Sequence, residues 1–353
     1  MPITPKSFNA LALNSQSLSP QSLNLQSLNP SLTRRQYLAA MAAMTLPLAS
    51  VHAAMANRIR GALMILTTPY TITGEVDYED LAREVEFLDR CGVQGMVWPQ
   101  NSSEQRYLSE AERIRGFEVI AEANKGRDMV LIFGVQADDT AGMLRYAHAA
   151  EALAPDGMIA IPPTTANSLD EIRAYYRALC EITARPVFVQ TSGGPDIELT
   201  IEFLVDMARE LPQCGYIKEE YGNVHERMLA LSAYRPDPIR SIFGAELGRG
   251  WLYEMRIGTD GVMTGGAMYG DVYARMWQLH NEGRAEELRD CYSALLLIQN
   301  LDEQIPGVRL YVLQRRGIFK TTKSRRGDYQ FSPQQIAEIE YRLEALQPYM
   351  LPG

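Results

Sequence analysis

From Gly61 to Met263 the chain alternates short apolar runs with longer stretches whose apolar residues recur every three to four positions. Apolar runs without polar alternation predict strands buried on both faces, and the three-to-four spacing predicts helices with one stripe on a core. Eight strands are expected, at Ala62–Leu66, Gly95–Trp98, Met129–Phe133, Gly157–Ile161, Val187–Gln190, Gly215–Lys218, Ser241–Phe243 and Gly261–Met263. Helical stretches fall between them, for example Tyr78–Cys91, Glu110–Asn124, Asp139–Leu153, Leu169–Thr183 and Ile201–Leu211. Eight β/α alternations fit a closed (β/α)8 TIM barrel better than an open sheet, a common form of which carries G-x-G-x-x-G after the first strand. Gly61-Ala62-Leu63 carries no such loop. Past Tyr269 only helical periodicity remains, at Tyr273–Asn281, Ala285–Leu301, Val308–Arg315 and Pro333–Leu346. The chain thus divides into 1–56, a barrel over 57–270, and a C-terminal helical extension over 271–353 that packs on the barrel or serves an oligomer interface.

The first segment has a different pattern. Residues 1–33 are rich in Ser, Leu, Asn and Gln, with the near-repeat Gln16-Ser17-Leu18, Gln21-Ser22-Leu23, Gln26-Ser27-Leu28, a low-complexity composition. Thr33-Arg34-Arg35-Gln36-Tyr37-Leu38 leads into a small, apolar run from Ala39 to Ala54 that ends near A-x-A-like sites. This order resembles a twin-arginine export signal. An amphipathic N-terminal helix is the alternative, but the run has no charges to define a wet side. It is too short and too weakly apolar for a stable transmembrane span. A periplasmic or otherwise exported mature protein is the expectation, folded before transport.

Composition narrows the partners. The 46% hydrophobic and 22% charged shares argue for a globular chain over most of the length. Residues 1–56 hold Lys6, Arg34 and Arg35 and no acid, so removing their +3 from the whole-chain −9 leaves −12 for the remainder. Such a field disfavours nucleic acid and anionic membranes, and a small anionic substrate would need a local cationic or N–H-rich pocket. Cys91, Cys180, Cys214 and Cys291 lie far apart without C-x-x-C spacing, and the four histidines form no cluster. No metal site is legible, and free thiols are expected rather than disulfides.

The candidate chemistry sits in Cys214-Gly215-Tyr216-Ile217-Lys218-Glu219-Glu220-Tyr221-Gly222-Asn223. Lys218 ends an apolar run between two helices, where an α/β barrel presents reactive side chains. Low-dielectric walls disfavour an ammonium, so a lysine held there can attack a carbonyl carbon as the neutral amine. A surface lysine at a strand end is the plainer alternative.

The flanking motifs resemble the dihydrodipicolinate synthase/N-acetylneuraminate lyase family of class I, Schiff-base (β/α)8 enzymes, from about Gly61 to Tyr349. Leu66-Thr67-Thr68-Pro69-Tyr70 with Gly74, Val76 and Asp77 is similar to the family's L-V-T-P-F…G-x-v-D opening. Gly92-Val93-Gln94-Gly95, Gln100-Asn101-Ser102-Ser103-Glu104 and Leu108-Ser109-Glu110 with Glu112-Arg113 resemble G-V-x-G…G-T-T-G-E…L-S-x-E-E-R. Ile217-Lys218-Glu219 with Gly222 matches the Schiff-base strand, and Gly258 with Asp260-Gly261-Val262-Met263 the eighth. The resemblance implies a lyase, aldolase or dehydratase, with Lys218 forming an imine with a 2-keto acid such as pyruvate or a sugar-acid derivative. It implies no cofactor beyond that covalent imine, and a homotetramer or homodimer. Ser102 and Ser103 would hold the keto-acid carboxylate through N–H and hydroxyl donors. Both could instead cap the following helix, and Ser109 with Glu112 reads as a capping box.

Departures from the family pattern reshape the site. Pro162-Pro163-Thr164-Thr165 stands where the family has P-Y-Y, with Thr164 at the proton-relaying tyrosine. A threonine hydroxyl has no accessible ionisation and can only position a proton or a water. Gln190-Thr191-Ser192-Gly193 replaces Y-N-x-P, and Gln100 and Ser103 replace both glycines of the loop. As a substitute acid/base, strand parity past Lys218 puts Glu220 inward and Glu219 outward. Tyr221 is the second choice, and a solvated strand-end pair the bland reading of the two acids. Thr164, Thr191 and Thr264 are expected to line the pocket, with Gly265 and Gly266 allowing close approach of a substrate. The competing function is a catalytically impaired barrel that binds a small keto acid outside the cytoplasm.

Overall fold

The computed structural model describes residues 59–351. The export signal read at 1–56 lies outside the described residues. The strands are β1 Gly61–Ile65, β2 Gly95–Trp98, β3 Val130–Gly134, β4 Gly157–Ala160, β5 Val187–Gln190, β6 Tyr216–Lys218, β7 Ser241–Gly244 and β8 Gly261–Thr264. Each pairs in parallel with the next, and β8 returns to β1 with Gly61 opposite Gly261, so the sheet closes into an eight-stranded barrel. Glycine is required at that seam, because a Cβ on Gly261 would stand 2.0 Å from Gly61 O.

The period of two along each strand divides the core into two parts. Leu63, Val97, Ile132, Ile159, Phe188, Tyr216, Phe243 and Met263 point inward and fill the barrel. Their neighbours Met64, Trp98, Phe133, Met158, Val189, Ile217, Ile242 and Val262 are fully buried or nearly so outside it, most of them against the helices. Two residues beyond Tyr216 and Phe188, the same parity brings Lys218 and Gln190 to the inner face at the C-terminal mouth, paired in register.

The helices of the ring are α1 Tyr78–Cys91, α2 Glu110–Asn124, α3 Thr140–Glu151, α4 Leu169–Ile182, α5 Ile201–Glu210, α6 Val224–Ser232, α7 Trp251–Arg256 and α8 Gly270–Asn281. Side chains with short polar tips start several of them by accepting otherwise orphaned backbone N–H groups. Asp77 caps α1, Asp139 α3, Ser168 α4 and Thr200 α5. Ser109 and Glu112 form the expected reciprocal box at α2. The eighth helix packs on α1 and β1 and completes the ring.

Three further helices follow, α9 Ala285–Gln299, α10 Val308–Arg315 and α11 Pro333–Leu346. Between α10 and α11 the chain runs back across the loops after β1 and β2. Lys320 N donates to Asp80 Oδ2 at 2.7 Å, and its ammonium meets Asp77 at 3.0 Å. Arg325 grips Glu112 with both Nη atoms at 2.6 and 2.9 Å, donates to Tyr107 O at 2.7 Å and Gly74 O at 3.0 Å, and lies over the Tyr70 ring. Cys91, Cys214 and Cys291 are buried free thiols and Cys180 is half-buried.

The Arg325 pair predicts a pH dependence. The guanidinium holds the Glu112 carboxyl down at about 2 from its ordinary 4.5, burial opposing and the Ser109 box assisting. A depressed folded-state pKa contributes stability that is complete above 4.5 and lost as pH falls through about 2. Glu112→Gln is therefore expected to lower the urea midpoint at pH 7, with the gap from wild type closing as the buffer is taken from pH 5 towards pH 2.

Candidate active site

Lys218 is the last residue of β6 and is only 3% exposed. Its Nζ donates to Gln190 Oε1 at 3.2 Å and lies 3.3 Å from Glu220 Oε2. The amine opens onto a cavity of about 220 Å³ at the barrel mouth, floored by Ile65 and Met263 and walled by loops after β2, β5, β7 and β8. An ammonium buried this deeply requires an anion and an acceptor, and the two neighbours supply one each. Among the described residues no cluster of histidine, cysteine or acidic side chains could hold a metal ion.

The parity argument places the two glutamates as expected. Glu220 turns inward to the amine and accepts from Ser192 Oγ at 3.1 Å. Glu219 turns outward into full burial, where Oε1 accepts from Thr191 Oγ1 at 2.7 Å and Tyr221 N at 2.9 Å, with Arg227 Nε 3.1 Å away. Thr191 Oγ1 also accepts from Glu220 N at 2.8 Å. The outward acid and the threonine thereby fix the backbone that aims the inward acid. A carboxylate held beside an amine can exchange a proton with it directly.

The other expected residues divide. Ser102, Thr264 and Gly265 line the cavity with Lys218. The Ser102 hydroxyl is buried with no protein partner, while Thr264 Oγ1 accepts from Leu247 N at 2.7 Å. Ser103 does not line it, because its hydroxyl donates to Leu66 O at 2.5 Å and accepts from Gln100 N at 3.1 Å, which consumes it in the turn. Thr191 is likewise behind the wall, and Tyr221 is not on the lining. Gly266 makes room for protein: a Cβ there would meet the Tyr273 ring at 2.5 Å.

Thr164 is the clearest correction. It is exposed, donates to Asp138 Oδ1 at 2.8 Å, and borders a separate cavity of about 320 Å³ that Lys218 does not touch. The loop after β4 leans towards β3, so the residue opposite the amine comes from β5 and is Gln190. That position follows from parity, two residues beyond the inward Phe188. Arg309, from α10, also lines the cavity. It lies 91 residues beyond Lys218 on a helix outside the ring, and no local pattern announces it. Glu246 lines the β7 side in a left-handed conformation (φ 47°). Burial and the charge of Glu246 push the nearby Glu254 carboxyl up to about 8.

Residues 58–338 match the model of the dihydrodipicolinate synthetase family. The chain belongs to that family. The L-2-keto-3-deoxyarabonate dehydratase of Azospirillum brasilense is 25% identical over 300 residues, 83% of this chain and 96% of its own. The 4-hydroxy-tetrahydrodipicolinate synthase of Porphyromonas gingivalis is 26% identical over 234 residues, 65% of this chain and 77% of its own. In fold, the crystal structure of the Rhodopseudomonas palustris dihydrodipicolinate synthase superposes with a TM-score of 0.73 at 24% identity, covering 81% of this chain and 97% of that one. This member of the dihydrodipicolinate synthetase family is accordingly an enzyme of the lyase type.

The arrangement behind the cavity wall yields a direct expectation. Thr191→Val keeps the side-chain shape but removes a donor from the buried Glu219 carboxylate and an acceptor from Glu220 N. A loss of about 1–3 kcal/mol is expected in urea unfolding, the range for a buried polar group left without its partner.

Proposed function

We propose that the protein is a Schiff-base lyase or dehydratase acting on a small 2-keto acid, with Lys218 as the imine-forming amine. The observation that carries this is a lysine Nζ buried at the barrel mouth, between an amide oxygen at 3.2 Å and a carboxylate at 3.3 Å, facing a cavity open at that mouth. Arg309 and the unpartnered Ser102 hydroxyl border the same cavity and suit the substrate carboxylate.

In this reading Glu220 takes a proton from the Lys218 ammonium, and the freed amine attacks the ketone carbon to form a carbinolamine. The proton returns to the carbinolamine oxygen, which leaves as water and yields the protonated imine. That cation accepts the electron pair released when a proton leaves the adjacent carbon, giving an enamine. Expulsion of a hydroxyl from the next carbon, with a proton, completes a dehydration. Alternatively the protonated imine accepts the electron pair of the bond between those two carbons directly, becoming the enamine as the outer hydroxyl gives up its proton and leaves as a carbonyl, the course of an aldolase. The name of the Azospirillum relative, a dehydratase, favours dehydration.

The competing reading, a barrel that binds a keto acid without turnover, draws on Gln190, since the amide facing Lys218 cannot shuttle a proton. Glu220 answers that objection, because it is ionisable and within reach of the same nitrogen. Export by the segment at 1–56 and assembly into a homo-oligomer belong to the same proposal. Detection of a mature chain lacking that segment in the periplasmic fraction, lost on Arg34→Lys with Arg35→Lys, tests the first.

Borohydride reduction in the presence of pyruvate is expected to leave a stable adduct on Lys218, located by peptide mass spectrometry and abolished in Lys218→Ala. Glu220→Gln should slow turnover by about 10²–10⁴-fold, the range for a lost general acid or base, while still permitting slow trapping. An adduct absent across a broad panel of keto acids would remove the imine; trapping without turnover of any of them would favour the binder.

A further inference from the structure

The fold brings together two side chains that the sequence keeps 34 positions apart. Cys180 Sγ and Cys214 Sγ touch as free thiols, 3.5 Å from each other. Cys180 sits in the last turn of α4, and Cys214 closes the 3-10 turn Pro212–Cys214 that leads into β6. These segments pack together, and Gln213 ties them, its Nε2 donating to Cys180 O and Thr183 O at 3.3 Å each. Among the described residues no third ligand joins the two thiols in a group that could hold a metal ion.

A sulfur–sulfur bond is about 2.05 Å long, so the pair must close from 3.5 Å by side-chain movement. Cys214 has little freedom to supply it. It is fully buried, its N donates to Leu211 O at 2.8 Å, and the adjacent Gly215 is clamped. Gly215 O accepts from Arg240 N at 2.7 Å, and a Cβ on Gly215 would stand 2.5 Å from Pro238 O. Cys180 is half-buried at a helix end, so both the movement and the access for an oxidant fall to it. The Cys214 thiol is pushed well above its ordinary value, first by the contact with Cys180 and then by burial. That leaves Cys180 as the sulfur that reacts first.

We propose that Cys180 and Cys214 are a dithiol that a disulfide-bearing oxidant converts to an intramolecular disulfide, cross-linking the end of α4 to the entry of β6. The Cys180 thiolate attacks the oxidant's disulfide, forming a mixed disulfide and releasing one oxidant thiolate. Cys214, losing its proton, then attacks Cys180 Sγ, and the bond to the oxidant breaks with its second sulfur leaving as a thiolate. Two protein thiols are oxidised by two electrons, and the oxidant is reduced to two thiols that take up the two protons. Thiols persist in a reducing compartment and the disulfide in an oxidising one. The cross-link lies at the other end of β6 from Lys218 and depends on neither the imine nor export.

The test treats the full-length protein with excess oxidised glutathione or with dithiothreitol, quenches with acid, unfolds it and labels free thiols with a maleimide. The reduced sample should carry label on all four cysteines. The oxidised sample should carry it on Cys91 and Cys291 alone, with a Cys180–Cys214 cross-linked peptide found by mass spectrometry. The oxidised protein should also melt about 4 °C or more above the reduced one, a gap absent from Cys180→Ser and Cys214→Ala. Cys214→Ala should stop at a glutathione adduct on Cys180, the first step without the second. The wild-type labelling decides even if neither variant folds. Label on Cys180 and Cys214 after oxidation, a lasting glutathione adduct on Cys180 in the wild type, or a cross-link through Cys91 or Cys291 instead overturns the proposal.

Discussion

The site depends on one buried cation. Moving an ammonium from water into the mouth of a barrel is opposed by several kcal/mol unless an anion and acceptors meet it there. Glu220 and Gln190 do so at 3.3 and 3.2 Å, and each has its own support. Gln190 is the final residue of β5 and pairs in register with Lys218. Glu220 lies past the end of β6, where no ladder fixes the backbone, and Thr191 and the buried Glu219 take over that task. An outward acid with no access to substrate is thus part of how the inward acid is aimed.

A second constraint comes from outside the ring. The loop after β2, which carries Gln100, Asn101 and Ser102, has lost the glycines that the family pattern places there. The left-handed conformation falls on Glu104 instead (φ 58°), a strained geometry for a residue with a Cβ. Its carboxylate is held by Ser324 Oγ at 2.6 Å and Arg325 N at 3.0 Å, and Arg326 donates to Asn101 O. The segment between α10 and α11 therefore stabilises the loop that forms one wall of the cavity. The C-terminal helices belong to the site as well, because α10 supplies Arg309 to the lining.

The barrel was legible because its signals are local: apolar runs of three to five residues, amphipathic helices between them, and capping residues such as Ser109 at fixed offsets. Strand ends came within a residue or so, and the period of two carried over correctly to Lys218, Glu219 and Glu220. The same rule points to Gln190, two positions beyond Phe188, whereas the family motif points to Thr164. Loop residues were harder. Whether Ser102 or Ser103 faces the cavity depends on a turn whose hydroxyl partners, Leu66 O and Gln100 N, lie on two different strand ends. Arg309 had no local signal at all, since its placement follows from how a separate helix folds back over the barrel mouth.

Gln190 also bears on the charge balance of the reaction. Glu220 already sits beside the amine, Glu246 borders the same cavity, and Asp302 holds Arg309 at 3.0 Å, so three acids already stand against the cations Lys218 and Arg309. A keto acid adds one more negative charge. A protonated imine keeps the positive charge that the ammonium carried, so the attraction to Glu220 persists through the proposed reaction while Arg309 meets the incoming carboxylate. A further ionisable acid opposite the amine would tip this balance and compete with the substrate for the same cations. A neutral amide in that place accepts from Lys218 without adding charge, which makes Gln190 compatible with a lyase whose proton traffic runs through the Glu220 carboxylate just past β6.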